Sequence, residues 1–271
     1  MGDMLHYAFV QRALLASVLV GTSCSLVGVF VVLRGLSFIG DGIAHAAFAG
    51  VALGFLLGWN PLAIAVGFCL ATTGAIHATS RAGRIHMDAS IGIFYALTMA
   101  LGILFIGLRR TYDVRLYGYL FGSILTVTRA DLTVVAALTL FVVATVFLFF
   151  KEFQLLSFDP AMAEALGLHA GALSFLMLAL VSLTIVVSLQ AVGVMLAFAL
   201  IVAPASAAYQ LTYSYRALFG LSVLFGNLSC LAGLVLSYLF DIPSGATIVL
   251  TATALFFACL VLSPKRRAAS G

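Results

Sequence analysis

Charged residues are scarce in this chain. Of its 271 residues, 8% are Asp, Glu, Lys or Arg, 5 are proline and 1 is tryptophan, whereas a soluble domain carries roughly 25% charged residues. So little charge, together with 64% hydrophobic residues, excludes a soluble domain and indicates a polytopic membrane protein. The net charge of +4 does not require a nucleic-acid partner, because the basic residues lie mostly in short connections and at the C-terminal end.

Cysteine pairs and catalytic motifs are also missing. The four cysteines lie inside apolar runs without C-x-x-C spacing, which excludes a disulfide framework or a cysteine zinc site and predicts small buried side chains. The sequence contains no H-E-x-x-H, no G-x-S-x-G and no dense group of acids and bases. We therefore expect a transport protein and not a membrane enzyme.

Long apolar segments are what the chain has in abundance. Each is close to the ~20 residues that a helix needs to cross a bilayer, and each is continuously apolar and not alternating, which favours helices over a barrel. The segments span 10–33, 39–58, 62–79, 89–108, 132–150, 172–190, 192–208, 217–240 and 245–262. We predict an all-α polytopic membrane protein, a bundle of eight or nine transmembrane helices in a single membrane domain over 1–271. The count is open at 172–208, where only Gln190 and Gly193 interrupt the run.

The distribution of Lys and Arg gives a modest prediction of orientation. With nine spans and a cytoplasmic C-terminal tail, the outside holds five cations and the inside holds eight, which agrees with the positive-inside rule. The inside set is Arg34, Arg81, Arg84, Lys151, Arg216, Lys265, Arg266 and Arg267. One miscounted helix would reverse the N-terminal half.

Asp41 and His45 are an ionisable pair at the head of an apolar run. Residues at i and i+4 share one face of a helix, so the carboxylate and the imidazole can point to one spot. Ionisable side chains at membrane depth are costly, and they usually mark a functional position. The alternative is a buried histidine that hydrogen-bonds its own aspartate without any metal.

A polar interruption over 151–169 predicts a short helix outside the bilayer. Asp159 can cap a helix that starts at Pro160, a favoured first-turn residue, and Gly167 is suited to its C-terminal stop. The expected helix has about two turns. A plain amphipathic connection is the alternative for this segment.

Four stretches in order resemble one family. They are 33–46 (LRGLSFIGDGIAHA), 159–167 (DPAMAEALG), 190–205 (QAVGVMLAFALIVAPA) and 241–249 (DIPSGATIV). Together they resemble the permeases of metal-ion ABC transporters, the zinc, manganese and iron uptake family. The second stretch is similar to the cytoplasmic coupling helix of those permeases.

The resemblance implies a set of partners. We expect a homodimer in the bacterial cytoplasmic (inner) membrane, bound to two cytoplasmic ATPase subunits and receiving metal from an extracytoplasmic solute-binding protein. ATP hydrolysis would occur on the partner subunits, so the chain itself would be no enzyme. Asp159, Pro160, Glu164 and Gly167 would lie where the ATPase contacts the permease, although Glu164 could also be a merely solvated position.

The resemblance also implies a role for Asp41 and His45 in the translocation pathway. The pair from each of two protomers could form a four-ligand site. Carboxylate and imidazole suit zinc and also bind manganese or ferrous iron. Ala44 before the histidine is similar to the zinc-uptake members, whereas manganese members more often have serine there. We therefore expect Zn²⁺ as the transported ion, with Mn²⁺ or Fe²⁺ as the alternatives and no intrinsic cofactor.

Other polar or helix-breaking residues are weaker candidates for the pathway or the outer face. Asn227 would bond to a neighbouring helix or line the pore, and Pro204 would kink a span for gating or for packing. The simplest role of Asp241 is to cap the last helix, although it could also dock the binding protein. His86 and Asp88 form an H-x-D pair in the basic 81–88 loop that could serve metal exit, although polar loops often carry such pairs. An ATP-independent channel or secondary transporter is the competing class, but it would need more intramembrane acidic residues and an internal repeat.

Overall fold

Helices make up nearly all of the described chain. The computed structural model describes residues 8–83, 85–109 and 127–265, and no strand occurs among them. The helices are α1 (Ala8–Leu33), α2 (Ile39–Leu57), α3 (Pro61–Gly83), α4 (Met87–Arg109), α5 (Arg129–Leu148), α6 (Phe150–Phe158), α7 (Pro160–Ala165), α8 (Ala170–Val192), α9 (Val194–Leu211), α10 (Tyr215–Phe240) and α11 (Ser244–Val261). The all-α membrane bundle predicted from the sequence is confirmed.

The break at Gly193 resolves the uncertain part of the span count. Eight helices in the described ranges are long and apolar enough to cross a membrane, and α9 is a shorter apolar helix. Gly193 separates α8 from α9 with φ 82°, which favours glycine. The start of α8 shares a cavity with Arg34 after α1. The end of α9 shares another cavity with Leu33. Both helices therefore cross the bundle, in opposite directions, and the described chain has nine crossings.

Close backbone contacts hold the spans together. Apolar side chains gain little by leaving lipid for protein, so membrane helices associate through small residues that let backbones approach. A Cβ at Gly28 of α1 would collide with the Ile201 carbonyl oxygen of α9. A Cβ at Gly50 would lie 2.6 Å from Ala65 Cα, and one at Gly233 would lie 2.5 Å from Ile248 Cα. These glycines fix the α1–α9, α2–α3 and α10–α11 contacts.

Several buried hydroxyl and thiol groups form hydrogen bonds between helices. Thr73 of α3 and Ser182 of α8 are joined by a hydrogen bond of 2.5 Å between their hydroxyl oxygens, and the Ser222 hydroxyl donates to the Ser25 carbonyl at 2.9 Å. The Cys24 thiol lies 3.4 Å from the Ser188 hydroxyl. All four cysteines are free and buried, as predicted. Such bonds add direction to contacts that packing alone would leave free to slide.

One end of the bundle carries cations. Arg34, Arg81, Lys151, Arg216 and Lys265 all lie at the end where α7 is found. The Lys265 Nζ lies 3.5 Å from the Tyr209 ring centroid, a cation–π distance. By the positive-inside rule this end is cytoplasmic, in agreement with the nine-span orientation. Arg84, Arg266 and Arg267 lie outside the described residues.

Asp241 ends α10 and does not cap α11. Its φ is 52°, it is the only non-glycine residue with positive φ in the described ranges, and its N–H donates to the Ser237 carbonyl. The N-cap of α11 is Pro243, without a side-chain cap bond. The prediction that Asp241 caps the last helix is therefore wrong. Aspartate tolerates the left-handed conformation that commonly ends a helix, and Asp241 adopts it at the end of α10.

The α1–α9 contact can be tested with two glycines. We expect Gly28→Ala to lower the apparent Tm in detergent, because overpacking costs about 1–3 kcal/mol. Gly67 in α3 has open space around the position of a Cβ, so Gly67→Ala is expected to leave the Tm unchanged or raise it, since alanine is the better helix former. Equal melting temperatures for the wild type and Gly28→Ala would contradict the contact.

Candidate metal site and short cytoplasmic helix

Asp41 and His45 face each other in the first turns of α2. The His45 Nε2 lies 3.6 Å from the Asp41 Oδ1, beyond a good hydrogen bond. Two ligand atoms each about 2.1 Å from one ion at a tetrahedral angle are separated by about 3.4 Å. The His45 side chain is 19% exposed and the Asp41 side chain is 38% exposed. The spacing and exposure suit a shared ion better than a closed Asp–His hydrogen bond.

A cavity of about 410 Å³ adjoins Asp41, between the first turns of α2 and α4. Asp88 and Tyr95 of α4 also line this cavity. The Tyr95 ring meets the His45 ring edge-on, with 4.7 Å between the ring centroids. The sequence placed Asp88 in a loop, whereas the structure places it in the first turn of α4. Asp41 and Asp88 each stand in the first turn of a helix that starts at the cytoplasmic end.

Small residues near the pair serve packing and not ion contact. A Cβ at Gly42 would lie 3.1 Å from the Ile91 Cγ2, so this glycine lets α4 approach α2 beside the cavity. Ala44 is fully buried and does not line the cavity. A hydroxyl at position 44 would therefore face the protein interior, and the argument for zinc from Ala44 loses its physical basis.

The short helix predicted after residue 158 is present as α7. The Asp159 Oδ1 accepts a hydrogen bond of 2.9 Å from the Met162 backbone N–H, and Pro160 occupies the first turn. Gly167 follows with φ 80°, and the Gly167 N–H donates to the Glu164 carbonyl at 3.0 Å. The side chains of Asp159 and Glu164 are exposed. The helix thus has a fixed start and stop and presents carboxylates at the cytoplasmic end.

A cationic cavity of about 210 Å³ lies behind α7. Arg34, Arg81 and His77 line it together with Glu164 and Ser174. The Arg34 Nη1 donates to the Ser174 hydroxyl at 2.8 Å. Burial lowers the pKa of the Arg34 guanidinium, which still stays protonated at neutral pH. This bond ties the turn between α1 and α2 to the first turns of α8, directly after α7.

Three other candidates lie elsewhere. The Asn227 Nδ2 donates to the Thr22 hydroxyl of α1 at 3.1 Å, the neighbouring-helix bond expected from the sequence. Pro204 is buried within α9, and Asp241 is exposed at the opposite end of α10 from the cations. None of the three lines the cavity beside Asp41. The structure therefore groups Asp41, His45 and Asp88 at one place, and Arg34 with α7 at another.

Comparisons with known proteins identify the family. The ABC 3 transport family matches residues 6–263. The chain belongs to that family. It is 38% identical to the "Manganese transport system membrane protein MntC" of Listeria monocytogenes, over 97% of this chain and 94% of the relative. It is 34% identical to a "Probable iron transport system membrane protein" of Haemophilus influenzae, over 97% of each chain.

A solved structure shares the fold. A chain of "PsaBC from Streptococcus pneumoniae in complex with Fab" superposes with a TM-score of 0.87 at 33% identity, covering 98% of this chain and 96% of that one. This member of the ABC 3 family is a metal-ion ABC transporter permease. It is a multi-pass protein of the bacterial inner membrane, and it is a transport subunit and not an enzyme. The expectation of zinc gains no support from relatives whose names state manganese or iron.

The Asp159 cap predicts a local stability difference. We expect Asp159→Ala to speed hydrogen exchange at the Met162 amide about fivefold, because losing a side-chain cap costs about 1 kcal/mol. Asp159→Asn preserves a capping oxygen and is expected to exchange like the wild type. Identical exchange in the alanine variant would mean that the cap does not stabilise α7.

Proposed function

We propose that this permease carries Mn²⁺ into the cytoplasm, with Asp41 and His45 as ligands along the path. The observation that carries the proposal is the partly exposed carboxylate–imidazole pair, with donor atoms 3.6 Å apart, beside a cavity. The manganese names of relatives similar over nearly the whole chain support this ion. Carboxylate and imidazole both bind Mn²⁺. The whole chain acts as one permease domain in this proposal.

A second copy of the chain would complete the coordination. Among the described residues, no group of three or more His, Cys, Asp and Glu side chains could hold a metal. Two donors from each of two protomers give four ligands, while Asp88 lines the same cavity as Asp41 and attracts the cation. Incomplete coordination suits a transporter, because a closed site would retain the ion that must leave.

ATP-driven movement would reach the metal pair through α7. Two cytoplasmic ATPase subunits would bind the permease at this capped helix, through Asp159, Pro160, Glu164 and Gly167. The movement then passes into α8, and the Arg34–Ser174 bond connects α8 to the turn before α2. Asp41 lies seven residues after Arg34, so a rigid-body shift of α7 can tilt the metal pair. The metal itself would come from an extracytoplasmic solute-binding protein.

Reconstituted transport tests the pathway. In proteoliposomes with the cognate ATPase and binding protein, we expect ATP-dependent Mn²⁺ uptake that exceeds Zn²⁺ uptake. We expect Asp41→Ala and His45→Ala to lower Mn²⁺ uptake at least about tenfold, because each removes half of the ligands that one protomer supplies. His86→Ala is the matched control, since His86 is exposed outside the cavity.

Each component of the proposal has its own contrary result. Undiminished uptake without the ATPase would replace the ABC importer with a channel or a secondary transporter. Wild-type uptake by Asp41→Ala and His45→Ala would remove the pair from the pathway. Faster uptake of Zn²⁺ than Mn²⁺ would restore zinc as the cargo.

The link through Arg34 predicts partial uncoupling. We expect Ser174→Ala to lower the amount of Mn²⁺ transported per ATP hydrolysed about two- to tenfold, since one hydrogen bond to a charged group contributes about 1.5–3 kcal/mol at most. Ser157→Ala is the control, because the Ser157 hydroxyl donates to the Phe153 carbonyl of its own helix. An unchanged transport ratio in Ser174→Ala would exclude this bond from the coupling path.

A further inference from the structure

A groove opens on the outside of the bundle between α5 and α10. Its volume is about 700 Å³, and α5 and α10 both pack against α1, which forms its floor. Leu26, Val146 and Phe219 are buried at the back of the groove, whereas Phe147 and Leu148 at its rim are 71% and 74% exposed. The lining is mainly apolar, and an outward-facing apolar groove on a membrane span is in contact with lipid.

Two cations stand at the cytoplasmic mouth of this groove. Lys151 lies in the first turn of α6, just after α5, and Arg216 lies in the first turn of α10, so both are placed where the headgroups of the inner leaflet are found. Both side chains are exposed, and Glu152 is the one carboxylate in the lining. Among the described residues, neither cation has a carboxylate within 4.0 Å. The mouth therefore carries a net positive charge next to an apolar slot.

We propose that this groove binds an anionic phospholipid of the cytoplasmic leaflet. Lys151 and Arg216 hold the phosphate and its negative headgroup, and one acyl chain lies in the slot against Phe147 and Phe219. Basic pockets between transmembrane helices on the cytoplasmic side favour anionic lipids. A second copy of the chain fits less well, because a two-fold contact here would bring the same cations of two copies together.

Gly220 offers a way to fill the groove without disturbing the helix. It lines the groove, it is exposed, and a Cβ at this position meets nothing within 4 Å. A phenylalanine there would occupy the place of the acyl chain. Gly67 of α3 is an exposed glycine in an equally open position outside the groove, so Gly67→Phe controls for adding an aromatic ring to a lipid-facing helix.

Native mass spectrometry of the purified full chain, titrated with phosphatidylglycerol or with phosphatidylcholine of the same acyl chains, tests the site. We expect phosphatidylglycerol to bind the wild type more tightly. We expect Lys151→Gln and Arg216→Gln each to weaken its binding about fivefold with little change for phosphatidylcholine. Gly220→Phe is expected to reduce binding of both lipids. Arg129→Gln, at the opposite end of α5, and Gly67→Phe should bind both lipids like the wild type.

The results that would contradict the lipid site are independent of the results of the metal-transport experiments. Equal binding of the two lipids by the wild type would overturn the proposal, and so would an unchanged phosphatidylglycerol preference in the Lys151→Gln, Arg216→Gln double variant. Dissociation of an oligomer by Gly220→Phe would assign the groove to a second copy instead. If Gly220→Phe fails to fold, the two glutamine variants, which alter only exposed side chains, still decide the result.

Discussion

The cost of an ionised side chain in hydrocarbon governs where this protein can do chemistry. Charged residues are few, and nearly every one within the described ranges lies at an end of the bundle or beside a cavity. The cations gather at the cytoplasmic end, where water and headgroups solvate them. Asp41 and Asp88 line a cavity between α2 and α4, and His45 lies beside Asp41 and Tyr95. The same constraint therefore orients the chain and supports the proposed cation path beside Asp41.

Helix packing follows from a second property of the bilayer, namely that apolar side chains gain little by leaving lipid for protein. Lipid solvates leucine and valine as well as the protein interior does, so apolar burial does not choose which helices pair. Gly28, Gly50 and Gly233 select partners by permitting backbone contact with Ile201, Ala65 and Ile248. Hydroxyl bonds such as Thr73–Ser182 add direction. A rigid scaffold of this kind suits the proposed coupling, in which the capped α7 would move neighbouring helices without deforming them.

Local features of the sequence predicted more than the long-range ones. The spans, the Asp159 cap and the i, i+4 relation of Asp41 and His45 depend on near neighbours, and their geometry was predictable. The cavity shared by Asp41 and Asp88 and the Arg34–Ser174 bond join residues 47 and 140 positions apart, which spacing cannot reveal. Asp241 was misassigned because a capping aspartate and a left-handed helix end have the same sequence signature, and only φ distinguishes them.

The choice of ion illustrates why a single residue type is a weak guide to selectivity. Ala44 points into the interior, so substituting its methyl group cannot change the donor set directly. The available donors, one carboxylate and one imidazole per protomer, accept several divalent metals, and intrinsic affinity would favour Zn²⁺ over Mn²⁺. A Mn²⁺ importer with these ligands must gain its selectivity from geometry, from coordination number or from the protein that delivers the metal. In the proposed dimer, the arrangement of the two protomers around Asp41 would therefore bear more on the choice of ion than the identity of the residue before His45.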